Sequence, residues 1–215
     1  TIHSVGATGC TLLLFRPQEK EPYARLKYPE AYHIGNTFAM LVFGLKIDEF
    51  EYAFQLDGPY DESRGLLFDK NNVLLDPFAK AVTGQRNWGE RPESDEGFVY
   101  HARVVENNFD WGKMTFPEIP AEDLIIYETH VRGFTRDASS GVTAGGTFEG
   151  LRQKIPYLKD LGVNAIELLP IFEFDEMESA RVVDGVQLYN YWGYNTVSFF
   201  APNTSYSSVV EHNHE

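Results

Sequence analysis

The sequence predicts a multidomain chain: an all-β sandwich over residues 1–82, a connecting segment over 83–120, and over 121–215 the opening strand–helix–strand of a parallel α/β fold. Three observations carry this. Short apolar or alternating runs, each bounded by Gly, Pro, Asn or Asp, fill the first part of the chain. The pattern changes near Ala121 to continuous apolar strands separated by a helical period. A closed (β/α)8 barrel takes about 250 residues, many more than follow Ala121 in a chain of 215.

In the first part, Thr11 to Phe15, Thr37 to Leu45 and Phe50 to Leu56 read as strands. Phe50, Tyr52, Phe54 and Leu56 lie on one face and Glu51, Ala53 and Gln55 on the other, the period-2 pattern of a half-buried strand. Asp57-Gly58-Pro59 ends the run as a turn. An antiparallel sandwich follows from such segments. The polar stretch from Thr83 to Pro120 carries Trp88, Trp111 and several Gly and Pro residues, and reads as a connector.

From Leu124 to Tyr127 the chain is continuously apolar, which suits a strand buried on both faces. Phe148, Leu151, Ile155, Leu158 and Leu161 then recur at helical spacing, with Thr147 as N-cap and Gly162 as stop. Pro156 falls inside this pattern and is expected to kink the helix or free a carbonyl. Val163 to Leu169 is the second strand. The resulting βαβ unit fits either a barrel or a doubly wound sheet, and the chain reads as the leading part of a longer protein.

Composition narrows the function classes. With 43% apolar residues and 14% aromatic, the chain has the makings of a folded core. A formal charge of −14 repels phosphate backbones and anionic lipid, so neither nucleic acid nor membrane is expected as a partner. The single cysteine, Cys10, sits in an apolar run and reads as a buried thiol. No stretch is long and apolar enough for a membrane span and no leader pattern is visible; a cytoplasmic location is expected.

Five segments, in matching order over nearly the whole chain, bring in a resemblance. They are Leu56-Asp57-Gly58-Pro59-Tyr60, Leu74 to Val82 (LLDPFAKAV), Tyr127 to Thr135 (YETHVRGFT), Gly162 to Pro170 (GVNAIELLP) and Tyr191-Trp192-Gly193-Tyr194-Asn195. Together they resemble the N-terminal portion of isoamylase-type glycogen or starch debranching enzymes of the α-amylase superfamily, glycoside hydrolase family 13. The resemblance implies an immunoglobulin-like sandwich of the carbohydrate-binding family-48 type, then an incomplete TIM barrel with its first two strands. It also implies hydrolysis of α-1,6 branch linkages with retention of configuration, and a branched α-glucan (glycogen, amylopectin or limit dextrin) as partner. The family's catalytic carboxylates follow barrel strands four, five and seven, so no catalytic residue is assigned within this segment, which is expected to be inactive alone. The alternatives are a non-catalytic glucan-binding or scaffold protein and part of a branching enzyme.

By the same resemblance Tyr194 is the leading substrate-binding candidate, its ring stacking on a sugar, with Trp192 beside it; read without it, this aromatic segment is core packing. Glu128, His130 and Arg132 alternate along a strand and are expected to form a salt-bridge network, and Glu167 to be a paired structural carboxylate. Glu173, Asp175, Glu176 and Glu178 have oxygen atoms a calcium ion can use, but a solvated acidic loop is the expectation, because the family's acidic position further on is Asn203 here. No metal and no cofactor is assigned. His212 to Glu215 at the chain end receives no role. Trp88 and Trp111 with Tyr23, Tyr28 and Tyr32 are considered as a glucan platform, with packing as the leading reading.

Overall fold

The computed structural model describes residues 1–83, 87–90, 100–106 and 108–209. The His212 to Glu215 segment lies outside them. The described residues fall into two compact units, one of residues 1–83 and 100–105 and the other of 87–90, 106 and 108–209. The segment expected as a connector is thus shared between both.

Strands of the first unit are β1 (Ile2–His3), β2 (Gly9–Phe15), β3 (Pro22–Lys27), β4 (His33–Ile34), β5 (Thr37–Phe38), β6 (Glu51–Asp57), β7 (Tyr60–Asp61), β8 (Leu66–Leu67), β9 (Ala81–Val82) and β10 (Ala102–Arg103). An antiparallel sheet runs β3-β2-β6-β10-β9 and a second runs β1-β5-β4. Register places Leu12 opposite Phe54 and Cys10 opposite Leu56 on neighbouring strands. These four join Ile2 and Phe38 of the second sheet in one buried cluster. Two sheets closing on a shared apolar layer is how strands of period 2 hide their inward faces.

The opposite face of β6 departs from expectation. Glu51 and Ala53 are buried as fully as Phe54, because β6 is central in its sheet and Ala53 packs with Leu13 and Phe15. Glu51 Oε2 lies 3.3 Å from His101 Nδ1, and the His101 ring stacks on Phe15 at 3.7 Å. The long strand expected from Thr37 to Leu45 shrinks to Thr37–Phe38. Met40, Val42 and Leu45 still turn toward the core, while Leu41 and Phe43 are 83% and 85% exposed. Alternation survives there without a paired ladder, since sequence pattern records which side chains face inward and not whether a neighbouring strand is present.

The second unit contains β11 (Ile126–Thr129), α1 (Val131–Thr135), α2 (Phe148–Gln153), α3 (Ile155–Asp160), β12 (Ala165–Leu168), β13 (Phe172–Phe174), β14 (Arg181–Val183), β15 (Val186–Leu188) and β16 (Thr196–Pro202). Strands β11 and β12 pair in parallel, Tyr127 opposite Ile166, and β13 pairs antiparallel with β16. Thr147 caps α2 by accepting from the Gly150 N–H. The expected single helix is two: it breaks at Lys154, and Pro156 opens α3, where a missing N–H costs nothing. Leu151 and Leu158 are buried, but Ile155 and Leu161 are not. Ile125 and Ile126 are also more than half exposed, against the expectation of burial on both faces; among the described residues this sheet has only two strands, too few to cover them.

Core and exposed apolar residues of the first unit respond differently to truncation. Leu13→Ala, at a fully buried site, is expected to cost about 3 kcal/mol. Phe43→Ala is expected to stay within about 0.5 kcal/mol. Urea unfolding of both variants checks this; equal losses refute the assignment of Phe43 to the surface.

Candidate functional site

The second unit is organised around Tyr206, which is fully buried. Its ring lies parallel to Trp88 at 6.0 Å and edge-on to Phe148 and Phe174 at 5.7 and 6.1 Å. Val131 and Leu151 complete the cluster. Arg132 places its guanidinium 4.6 Å from the Trp88 ring centre, a cation on an aromatic face.

On the rim of this cluster is a shallow, open recess of about 720 Å³, lined among others by Glu128, His130, Phe134, Tyr191, Trp192 and Tyr194. Tyr194 is 72% exposed and Trp192 56%, so both present open rings. Core packing therefore does not describe Tyr194. Gly193 between them has φ 73°, and a β-carbon there would come within 2.4 Å of the Phe174 ring. Only glycine allows both this backbone and this approach. In the wall of the recess the Tyr191 ring stacks on His130 at 4.1 Å.

The expected salt-bridge network of Glu128, His130 and Arg132 does not form. Glu128 is exposed, His130 is buried among aromatic rings, and Arg132 lies on Trp88. Glu167 is exposed too and has no ionic partner among the described residues. The Trp88 and Tyr28 considered for a platform are half-buried and buried in the cores of their own units, whereas Tyr23, Tyr32 and Trp111 stay exposed.

The largest departure concerns the acidic run. Glu173 and Glu176 are not solvated but buried. The Thr204 N–H donates to Glu173 Oε2 at 2.8 Å. Ser205 Oγ and Asn203 Nδ2 donate to Glu176 Oε1. Glu173 Oε1 and Glu176 Oε2 have no partner. Burial, opposed by these hydrogen bonds, pushes Glu173 up to about 8 and Glu176 up to about 7. The pair does not fit a calcium site: two oxygens remain free, Asn203 Oδ1 already accepts from Ser205, and calcium takes six to eight oxygen ligands. No cluster of three or more His, Cys, Asp or Glu suited to a metal occurs among the described residues. Sequence reasoning missed this buried pair because its donors lie about thirty residues downstream; the alternation of Glu173 with Phe174 in an otherwise apolar stretch was the available signal.

Chain comparisons fit this geometry. No protein-family model matches the chain. It has the fold of the matching portion of pullulanases: it superposes with TM-score 0.68 on pullulanase type I from Bacillus subtilis complexed with maltose, 24% identical, covering 98% of this chain and 27% of that one. With apo pullulanase from Paenibacillus barengoltzii the TM-score is 0.71 at 20% identity, over 96% and 30% of the two chains. Among curated relatives, isoamylase 3, chloroplastic, of Oryza sativa subsp. japonica is 42% identical over 179 residues, 81% of this chain and 23% of the relative. Isoamylase 1, chloroplastic, of Arabidopsis thaliana is 35% identical over 217 residues, 98% of this chain and 28% of the relative. The glycogen debranching enzyme of Serratia proteamaculans is 32% identical over 221 residues, 97% and 32%. The chain belongs to the isoamylase-type debranching family, and it spans roughly a quarter to a third of the length of these relatives.

A carboxyl whose pKa is higher in the folded than in the unfolded chain contributes stability that is full below the unfolded value, 4.5, and is lost as pH rises through the folded value. The second unit is therefore expected to lose stability as pH rises from about 5 toward 8. Glu176→Gln should flatten this slope and raise the melting temperature at pH 8. A melting temperature independent of pH in the parent chain refutes the assignment.

Proposed function

We propose that this chain is the glucan-approach portion of an isoamylase-type glycoside hydrolase that cleaves α-1,6 branch linkages in glycogen, amylopectin or limit dextrin by a retaining mechanism. Tyr194 is the sugar-stacking residue and Trp192 its neighbour. The observation that carries the reading is the pair of open rings on a glycine-kinked segment, backed by a packed aromatic cluster. The apolar C–H face of glucose needs a flat, solvent-accessible ring, and Tyr194 supplies one at 72% exposure. Family membership supports the substrate class, with relatives named isoamylase and glycogen debranching enzyme.

In this reading residues 1–82 are the carbohydrate-binding family-48 module, 83–120 the connector, and 121–215 the start of a TIM barrel whose first two strands are β11 and β12. Retaining chemistry needs two carboxylates about 5 to 5.5 Å apart facing the scissile bond. Among the described residues Glu128 is the only carboxylate lining the aromatic recess, and Glu173 and Glu176 are shut away from solvent. Nucleophile and acid belong to parts of the enzyme beyond this segment, which binds without cleaving. A cytoplasmic location goes with this reading; the names of the plant relatives place those proteins in the chloroplast, and no helix among the described residues is long and apolar enough to cross a membrane.

Native gels containing amylopectin test the claim. The 215-residue chain is expected to be retarded and to release no reducing ends. Tyr194→Ala should weaken retardation about three- to tenfold, the worth of one ring contact. Equal retardation of the two proteins removes the stacking role; debranching by the chain itself removes the division of labour.

A further inference from the structure

We propose that His130 is a positioning residue that fixes the Tyr191–Tyr194 segment for glucan by using its two ring nitrogens for two different tasks. The proposal rests on the reading that Tyr194 meets the sugar.

His130 stands between β11 and α1 as the N-cap of that helix. The Gly133 N–H lies 3.1 Å from Nδ1. A backbone N–H can only donate, so Nδ1 accepts and the ring proton resides on Nε2. Nε2 is 2.8 Å from the Tyr191 carbonyl oxygen and donates to it. The Tyr206 hydroxyl lies 3.2 Å from the same nitrogen. One tautomer thus satisfies the helix start on one side and grips the aromatic segment on the other. Burial is the first cause holding the ring's pKa below the usual histidine value, with Arg132 adding to it and the Tyr191 bond opposing, and this keeps the neutral form the two bonds require.

The grip reaches Tyr194 through Tyr191. The Tyr191 ring lies flat on the imidazole, 4.1 Å away at 9°, and Trp192 meets the imidazole edge-on at 6.2 Å. A β-carbon on Gly133 would collide with the Tyr191 hydroxyl, so the hydroxyl end of the ring is seated against bare backbone. Tyr194 itself has no ring partner among the described residues and takes its place from the segment that carries it. Other ties on the segment are the Trp88 ring edge-on to Tyr191 at 6.0 Å, Gly193 packed on the Phe174 ring, Gly193 N–H to Asn190 Oδ1 at 3.4 Å and Asn195 Nδ2 to Glu178.

Two substitutions divide the tasks. A Gln amide reaches the position of Nε2 and can donate to Tyr191, while an Asn amide reaches that of Nδ1 and can accept from Gly133. His130→Gln is expected to remain within about twofold of the parent in retardation by amylopectin. His130→Asn is expected to lose affinity as far as Tyr194→Ala does, with faster hydrogen–deuterium exchange over residues 191–195 at an unchanged melting temperature. Equal behaviour of the Gln and Asn variants in exchange overturns the proposal, as does full retention of glucan affinity by His130→Asn when Tyr194→Ala loses it. If Tyr194→Ala binds like the parent, the stacking reading falls, and exchange alone decides the clamp: acceleration in Asn and not in Gln upholds it, and any other pattern overturns it.

Discussion

The second unit depends on the burial of one tyrosine. Tyr206 comes from the last described turn of the chain, and it gathers rings from Trp88, Phe148 and Phe174, which belong to three other segments. Aromatic pairs in these edge-on and parallel arrangements contribute about 0.5 to 1.5 kcal/mol beyond the area they bury. Short helices of five and six residues cannot hold themselves. Here the ring cluster supplies what helix propensity does not, and the recess inherits its rigidity from that cluster.

A second constraint is electrostatic. The turn that delivers Tyr206 also carries Asn203, Thr204 and Ser205, whose donors meet Glu173 and Glu176. The same few residues therefore fix the aromatic core and satisfy one oxygen of each buried carboxylate. Leaving the other oxygen of each without a donor is costly while the groups are charged, and the raised pKa values are the response to that cost. In the first unit the comparable buried carboxyl, Glu51, instead faces the His101 ring, so a polar side-chain partner is at hand.

Much of the framework was legible in the sequence where local pattern and tertiary environment agree. The strand over Phe50 to Leu56, though not the exposure of its second face, the Thr147 cap and the parallel pairing of the two apolar strands are of this kind. Legibility failed where a distant partner decides. Leu41 and Phe43 are apolar but lie outside the ladder, whereas the interruption at Pro156 was readable locally and becomes a full break because Lys154 can close one turn and Pro156 open the next. In the site, the glycine between Trp192 and Tyr194 signals a tight turn. His130, by contrast, looked like a member of an ion-pair network, because charge alternation along a strand says nothing about the rings that come to lie on it.

The contact of Gly133 with Tyr191 has an evolutionary corollary. The phenol oxygen occupies the space any larger residue at 133 would need, so drift at 133 is blocked while Tyr191 keeps its hydroxyl. A lineage that lost the hydroxyl would free the glycine, and the two sites should then change together.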